Sequence, residues 1–182
     1  GISSNNITQD DLILVNRDIG THGATIFAAR EGMDMNSNLK SDCVSLYPQV
    51  KALIDSGVKI TALRDATRGG VSAVLNEWAK QSNVCIEVDE EKIPVCDEVK
   101  GICEMLGFEA TNLANEGTFV LAIDKNDAAK AIEVLHAFPQ ASNACIIGIV
   151  TQQYPQKVVL NSSWGTKRFL DTPTGELLPR IC

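Results

Sequence analysis

The stretch LRDATRGGVSAV, residues 63–74, sets Asp65, Thr67, Arg68 and the paired glycines Gly69 and Gly70 between an apolar run and a helical pattern. A strand running into Asp65, a glycine turn and a helix behind it would leave backbone N–H groups at the helix start, a setting suited to a phosphate. Asp65 at the strand end is the hard oxygen ligand that Mg2+ takes together with phosphate oxygens. No GK[ST] follows, so this is not a Walker A loop. The same residues are equally compatible with a helix that is merely capped.

Two further turns carry titratable groups. NLANEGTFVLAI, residues 112–123, places Glu116 in a polar turn directly before an apolar strand, with Asn115 beside it. A turn carboxylate is a base when a substrate lies over it and a solvated surface group otherwise. DIGTHGATIF, residues 18–27, feeds glycines into a helix with His22 at its mouth, where the helix dipole favours the neutral ring. An ordinary surface histidine is the alternative. His136, in VLHAF, reads as a packing residue.

The chain ends LLPRIC, so Cys182 is the last residue. A prenylation signal needs the cysteine fourth from the end, which excludes that use. Its own carboxylate should raise the thiol pKa and Arg180 should lower it, so no unusually reactive nucleophile is indicated. An exposed thiol is open to oxidation; the position is either incidental or a handle loaded by one partner and presented to another. From Asp171 the text DTPTGELLPRIC, with two prolines and a glycine, predicts a mobile tail. Fully extended, its dozen residues would span up to ~40 Å.

These groups need a scaffold, and the chain has the material for one. It has 182 residues, 45% hydrophobic and 21% charged. The net charge of −7 and pI near 4.8 argue against a nucleic-acid or anionic-membrane partner reached through bulk charge. No apolar run approaches the ~20 residues of a membrane span, and GISSNNITQD at the start is no signal peptide. The six cysteines contain no CxxC pair; Cys85, Cys103 and Cys145 lie in apolar patterns, as reduced core thiols do.

Periodicity predicts strands at 11–16, 58–63, 84–88, 118–123 and 144–150, and a closing hairpin from KVVLN and KRFL. Helices are expected at 22–31, at 44–57 with Leu46, Val50, Leu53 and Ile54 on one face, along Val71–Ala79, after Pro94 until Gly107, and after Asn126 as cap. The order suggests an α/β (α+β) fold with a ferredoxin-like split-βαβ sheet and helices on one face. The predicted division is an α/β domain over 1–154, then the hairpin and tail over 155–182.

GTHGA, REGM, SDC, ALRDATRGGV, LANEG and the terminal PRIC, in that order, resemble the HypE family of hydrogenase maturation factors, in the AIR synthetase (PurM-like) superfamily. Position 21 is Thr where that family usually carries an acidic residue. The resemblance implies a PurM-like C-terminal domain, with the N-terminal ATP-binding and dimerisation domain outside these residues. It implies a cytoplasmic carbamoyl dehydratase, using ATP and Mg2+, that makes thiocyanate as the source of cyanide for [NiFe] hydrogenase. Implied partners are the carbamoyltransferase HypF, the HypC–HypD iron scaffold and a second copy of the full-length protein. By the same resemblance Cys182 is the covalent carrier and Glu116 the base. Asp65 holds Mg-ATP; Thr67, Arg68, Gly69, Gly70, Asn115, His22 and Arg180 surround the nucleotide. A related ATP enzyme, or a docking module without catalysis, are the competing readings.

Overall fold

The computed structural model describes residues 1–33 and 39–174. The predicted tail beyond Thr174, with Arg180 and Cys182, lies outside the described residues. The elements run β1 (Leu12–Val15), α1 (Thr21–Arg30), α2 (Tyr47–Asp55), β2 (Ile60–Asp65), α3 (Gly70–Gln81), β3 (Cys85–Asp89), α4 (Asp97–Leu106), β4 (Phe119–Ile123), α5 (Ala128–His136), β5 (Cys145–Thr151), β6 (Val158–Asn161) and β7 (Lys167–Phe169).

One mixed sheet holds all these strands in the order β2-β4-β1-β5-β3-β6-β7. β1 lies antiparallel between β4 and β5, which are joined through α5; this is the split βαβ unit the element order predicts. β6 pairs parallel with β3 and β7 antiparallel with β6, so the closing hairpin extends the domain's own sheet.

The central strands are buried on both sides. On β4, Val120 and Ala122 join the core under α3, with Val71, Val74, Leu75 and Trp78. Phe119, Leu121 and Ile123 join the opposite core, under α2 and α5, with Leu53, Ala131 and Leu135. Helices therefore cover both faces, where the sequence reading had put them on one. A third cluster packs α1 on α4 through Ala24, Ala28, Val99 and Ile102, with the Phe27 and Phe108 rings 4.4 Å apart.

Three local expectations change. Ile54 is 54% exposed, because α2 turns the face with Gln49 and Leu53 inward. Asn126 does not cap α5: its side chain bonds to Asp124 Oδ1, and the helix begins after Asp127, whose carboxylate accepts from the Lys59 N–H. His136 is exposed, with Nε2 2.8 Å from the Ala144 carbonyl, rather than packed in a core.

Candidate functional site

β1 and β2 run in the same direction and β4 against them, so β1 and β2 end where β4 begins. The three chemistry-bearing turns therefore meet at one end of neighbouring strands. Asp65 closes β2 opposite Phe119 and is exposed, and the Ala66 N–H donates to the Thr118 carbonyl at 2.9 Å. Thr67 is half-buried and Arg68 exposed. Gly69 is the N-cap residue of α3, with φ +75°, and no side chain caps the helix there. Gly70 has φ +62°, and a Cβ there would stand 2.4 Å from the Leu113 carbonyl oxygen and 2.6 Å from that of Thr111. Only glycine lets the short 3-10 turn Ala110–Asn112 press this closely on the start of α3.

Asn115 ties the turns together. It is fully buried. Its Oδ1 accepts from the Gly20 N–H at 2.8 Å, and its Nδ2 donates to the carbonyls of Ala66 (2.8 Å) and Leu113 (3.1 Å). Its backbone N–H also donates to Ala66, at 3.0 Å. One amide thus spans all three turns, with its hydrogen bonds directed into the protein. That is the environment of a residue that sets loop positions rather than one that reaches a ligand.

Glu116 follows it, with its side chain 44% exposed. Its turn is clamped by Asp42, which sequence reasoning had not singled out. The buried Asp42 carboxylate accepts from the N–H groups of Glu116 and Gly117, both at 3.0 Å, and from Thr118 Oγ1 at 3.1 Å. Gly117 is required here, since a Cβ would lie 1.9 Å from the Asp42 carbonyl oxygen. The same strap brings Ser41 Oγ to 2.8 Å from His22 Nδ1, and His22 Nε2 faces Glu116 Oε1 at 3.7 Å. His22 lies in the first turn of α1, with its side chain 16% exposed. The only advance signal for Asp42 and Ser41 was the SDC motif; the fold supplies the approach, across more than seventy positions.

The residues fit magnesium bound through a nucleotide better than a cage built by this chain. Among the described residues no group of three His, Cys, Asp or Glu side chains could hold a metal. One exposed carboxylate, Asp65, is the usual protein share of a Mg2+ whose other ligands are phosphate oxygens and water. Three of the thiols are poor ligands: burial pushes Cys96, Cys103 and Cys145 above the ordinary thiol range.

The last described residues lie beside the turn that precedes the Glu116 loop. Asn76, midway along α3, donates to the Leu170 carbonyl at 2.8 Å. Asp171–Thr174 then share a cleft of about 290 Å3 with Glu109 and Asn112, the latter pressed on the α3 start at Gly70. The stem of the tail thus leaves the sheet beside α3 and shares a cleft with the 3-10 turn Ala110–Asn112.

Residues 8–161 match the family model of AIR synthase related proteins, C-terminal domain. The carbamoyl dehydratase HypE of Escherichia coli K12 is 45% identical over 177 residues, which is 97% of this chain and 52% of that protein. A solved HypE in complex with ATP superposes with TM-score 0.93 at 34% identity, covering 100% of this chain and 55% of that one. A HypE–HypF complex gives TM-score 0.90 at 37% identity, over 95% of this chain and 56% of that one. The chain spans about half the length of the relatives it matches. With the family model covering most of its sheet and all three site turns, the chain belongs to the AIR synthase related proteins, carries their C-terminal domain, and is similar throughout that span to the HypE carbamoyl dehydratases.

Proposed function

We propose that the chain is the C-terminal part of an ATP-dependent carbamoyl dehydratase that converts a carbamoyl group carried on Cys182 into a thiocyanate. The cyanide would then serve the iron of [NiFe] hydrogenase. The observation that carries this reading is the meeting of the Asp65–Gly70 loop and the Glu116 turn at one end of the sheet, with the stem of the tail in a cleft beside Asn112, whose turn presses on Gly70. A carrier reaction requires its activating site, its base and the root of its arm in one place.

Loss of water from a carbamoyl group breaks the C–O bond and removes both N–H protons. Mg-ATP supplies a phosphoryl group with which the amide oxygen leaves. The chain's own residues have the remaining tasks. Asp65 would hold the magnesium, and Thr67, Arg68, Gly69 and Gly70 would line the phosphates. Glu116, whose N–H donates to Asp42, would take a proton from the carbamoyl nitrogen. Asn115 acts through its three turns. Arg180 would steer the tail toward phosphate oxygens.

HypF is the proposed donor and the HypC–HypD scaffold the proposed acceptor. The full-length protein would dimerise through its N-terminal domain and work in the cytoplasm; no helix among the described residues is long and apolar enough to cross a membrane. The boundary at residue 154 is best placed later in this reading, since β6 belongs to the domain sheet. Mass spectrometry of the full-length protein with HypF, a carbamoyl donor and ATP tests the reading. It should find a carbamoyl adduct on Cys182 that loses one water. An unmodified Cys182, or cyanide delivery undiminished in Cys182→Ala, would overturn it and leave a docking module.

A further inference from the structure

The contacts around Glu116 carry a second consequence, which rests on its role as the base. We infer that His22 is a positioning residue for Glu116, holding the carboxylate through Nε2–H while Ser41 fixes the ring's tautomer at Nδ1. Donor and acceptor chemistry supplies the assignment. An ionised carboxylate only accepts hydrogen bonds, so for the ring to hold Glu116 Oε1, 3.7 Å away and beyond hydrogen-bond reach in this structure, Nε2 has to be the nitrogen that carries hydrogen. In the neutral ring Nδ1 is then an acceptor, and Ser41 Oγ at 2.8 Å must donate to it. Ser41 is free to do so, because its oxygen already accepts from the Cys43 N–H at 3.3 Å and its own hydrogen remains to be placed.

Both ends of this chain are rigidly mounted. Ser41 precedes Asp42, whose carboxylate is fixed by the Glu116 turn itself. His22 sits between Thr21, which is buried, and Gly23, whose N–H donates to the Ala114 carbonyl at 3.0 Å. A Cβ at residue 23 would approach Ala114 N and Leu113 Cβ to 3.0 Å, so the helix start and the Glu116 turn meet backbone to backbone. The 3.7 Å gap is of the kind that closes when substrate excludes water and the carboxylate is drawn into line. This places His22 beside the base rather than among the phosphate-lining residues.

Two substitutions separate the two nitrogens. In His22→Gln the side-chain amide reaches the place of Nε2 and can still donate to Glu116; in His22→Asn it reaches only the place of Nδ1. In the full-length protein, carbamoyl loading of Cys182 should be normal in both. Single-turnover dehydration should stay within about threefold of wild type in His22→Gln and fall by about 100-fold in His22→Asn, the effect of misplacing a reacting group by ~1 Å. Nitrogen-15 spectra of histidine-labelled protein should place the proton of neutral His22 on Nε2, and Ser41→Ala should weaken that preference. Equal loss in both variants, or a proton on Nδ1, would overturn the assignment. A Glu116→Gln protein that dehydrates at the wild-type rate would instead reject Glu116 as base, and the nitrogen-15 spectra would still report on His22.

Discussion

Replacing Asn115 by alanine removes about 3 kcal/mol of stability. The Gly20 N–H loses its acceptor at 2.8 Å, and an orphaned buried donor costs about 1–3 kcal/mol. The Leu113 carbonyl loses its donor at 3.1 Å, for about 1 kcal/mol more. The Ala66 carbonyl keeps the backbone N–H of residue 115 at 3.0 Å and adds little. In a chain of this size 3 kcal/mol lowers Tm by roughly 6–12 °C. Urea unfolding should show an earlier midpoint with an unchanged slope. Asn115→Asp sharpens the test at constant volume. It keeps the acceptor for Gly20 but turns an oxygen toward two carbonyls, so at pH 7 it should be at least as damaging as alanine. Its deficit should shrink as the pH falls, because the protonated acid recovers one donor. A loss below 1 kcal/mol in Asn115→Ala, or an Asn115→Asp protein as stable as wild type, would refute the claim that this amide holds the turns.

Glu116→Gln in the full-length protein should leave Cys182 loading intact and slow dehydration by roughly 10²–10⁴-fold, measured by single-turnover mass spectrometry. Gly70→Ala should cost about 2–4 kcal/mol, combining left-handed backbone strain with overpacking against residues 111–113, as read from denaturation midpoints. Alkylation at pH 8 followed by peptide mapping should label exposed Cys43 well before Cys103, whose thiol is raised by burial. Asp124 is held below the ordinary aspartate range first by the Asn126 N–H and then by Lys59. A depressed folded pKa stabilises above the unfolded value and is lost as pH falls through the folded one. The stability gap between wild type and Asp124→Asn should therefore be present at pH 7 and close as pH falls below about 4.

The strands were legible because their apolar runs are short and end at turn residues. The covering of both sheet faces was missed, although the sequence carries a subtle signal for it. FVLAI has no polar residue at alternate positions, and a strand wetted on one face would need them. The helix at 44–57 was found, but Leu53 and Ile54 differ in burial because one step around a helix is 100°, enough to carry a residue off a narrow contact. Asp65, Gly69, Gly70 and Glu116 stood out through local chemistry. Asp42 and Ser41 did not, because an isolated Ser-Asp pair in a loop has no period and no neighbours of its own; its meaning comes from the turn at 114–118 folded against it. Asn115 was found as a site member, but its buried amide is spent on Gly20, Ala66 and Leu113, a role that only the folded backbone defines.

The hydrogen bond from Asn76 to Leu170 fixes a pivot for everything that follows. Whatever path residues 175–182 take, eight residues confine the sulfur to a sphere of about 26–29 Å around Thr174. Because Leu170 is bonded to α3, whose first turn carries the glycine loop, the root of the tail and that loop are set on one helix. Lengthening or trimming the tail would change how far the thiol can travel to a partner, while the return address on α3 stays the same.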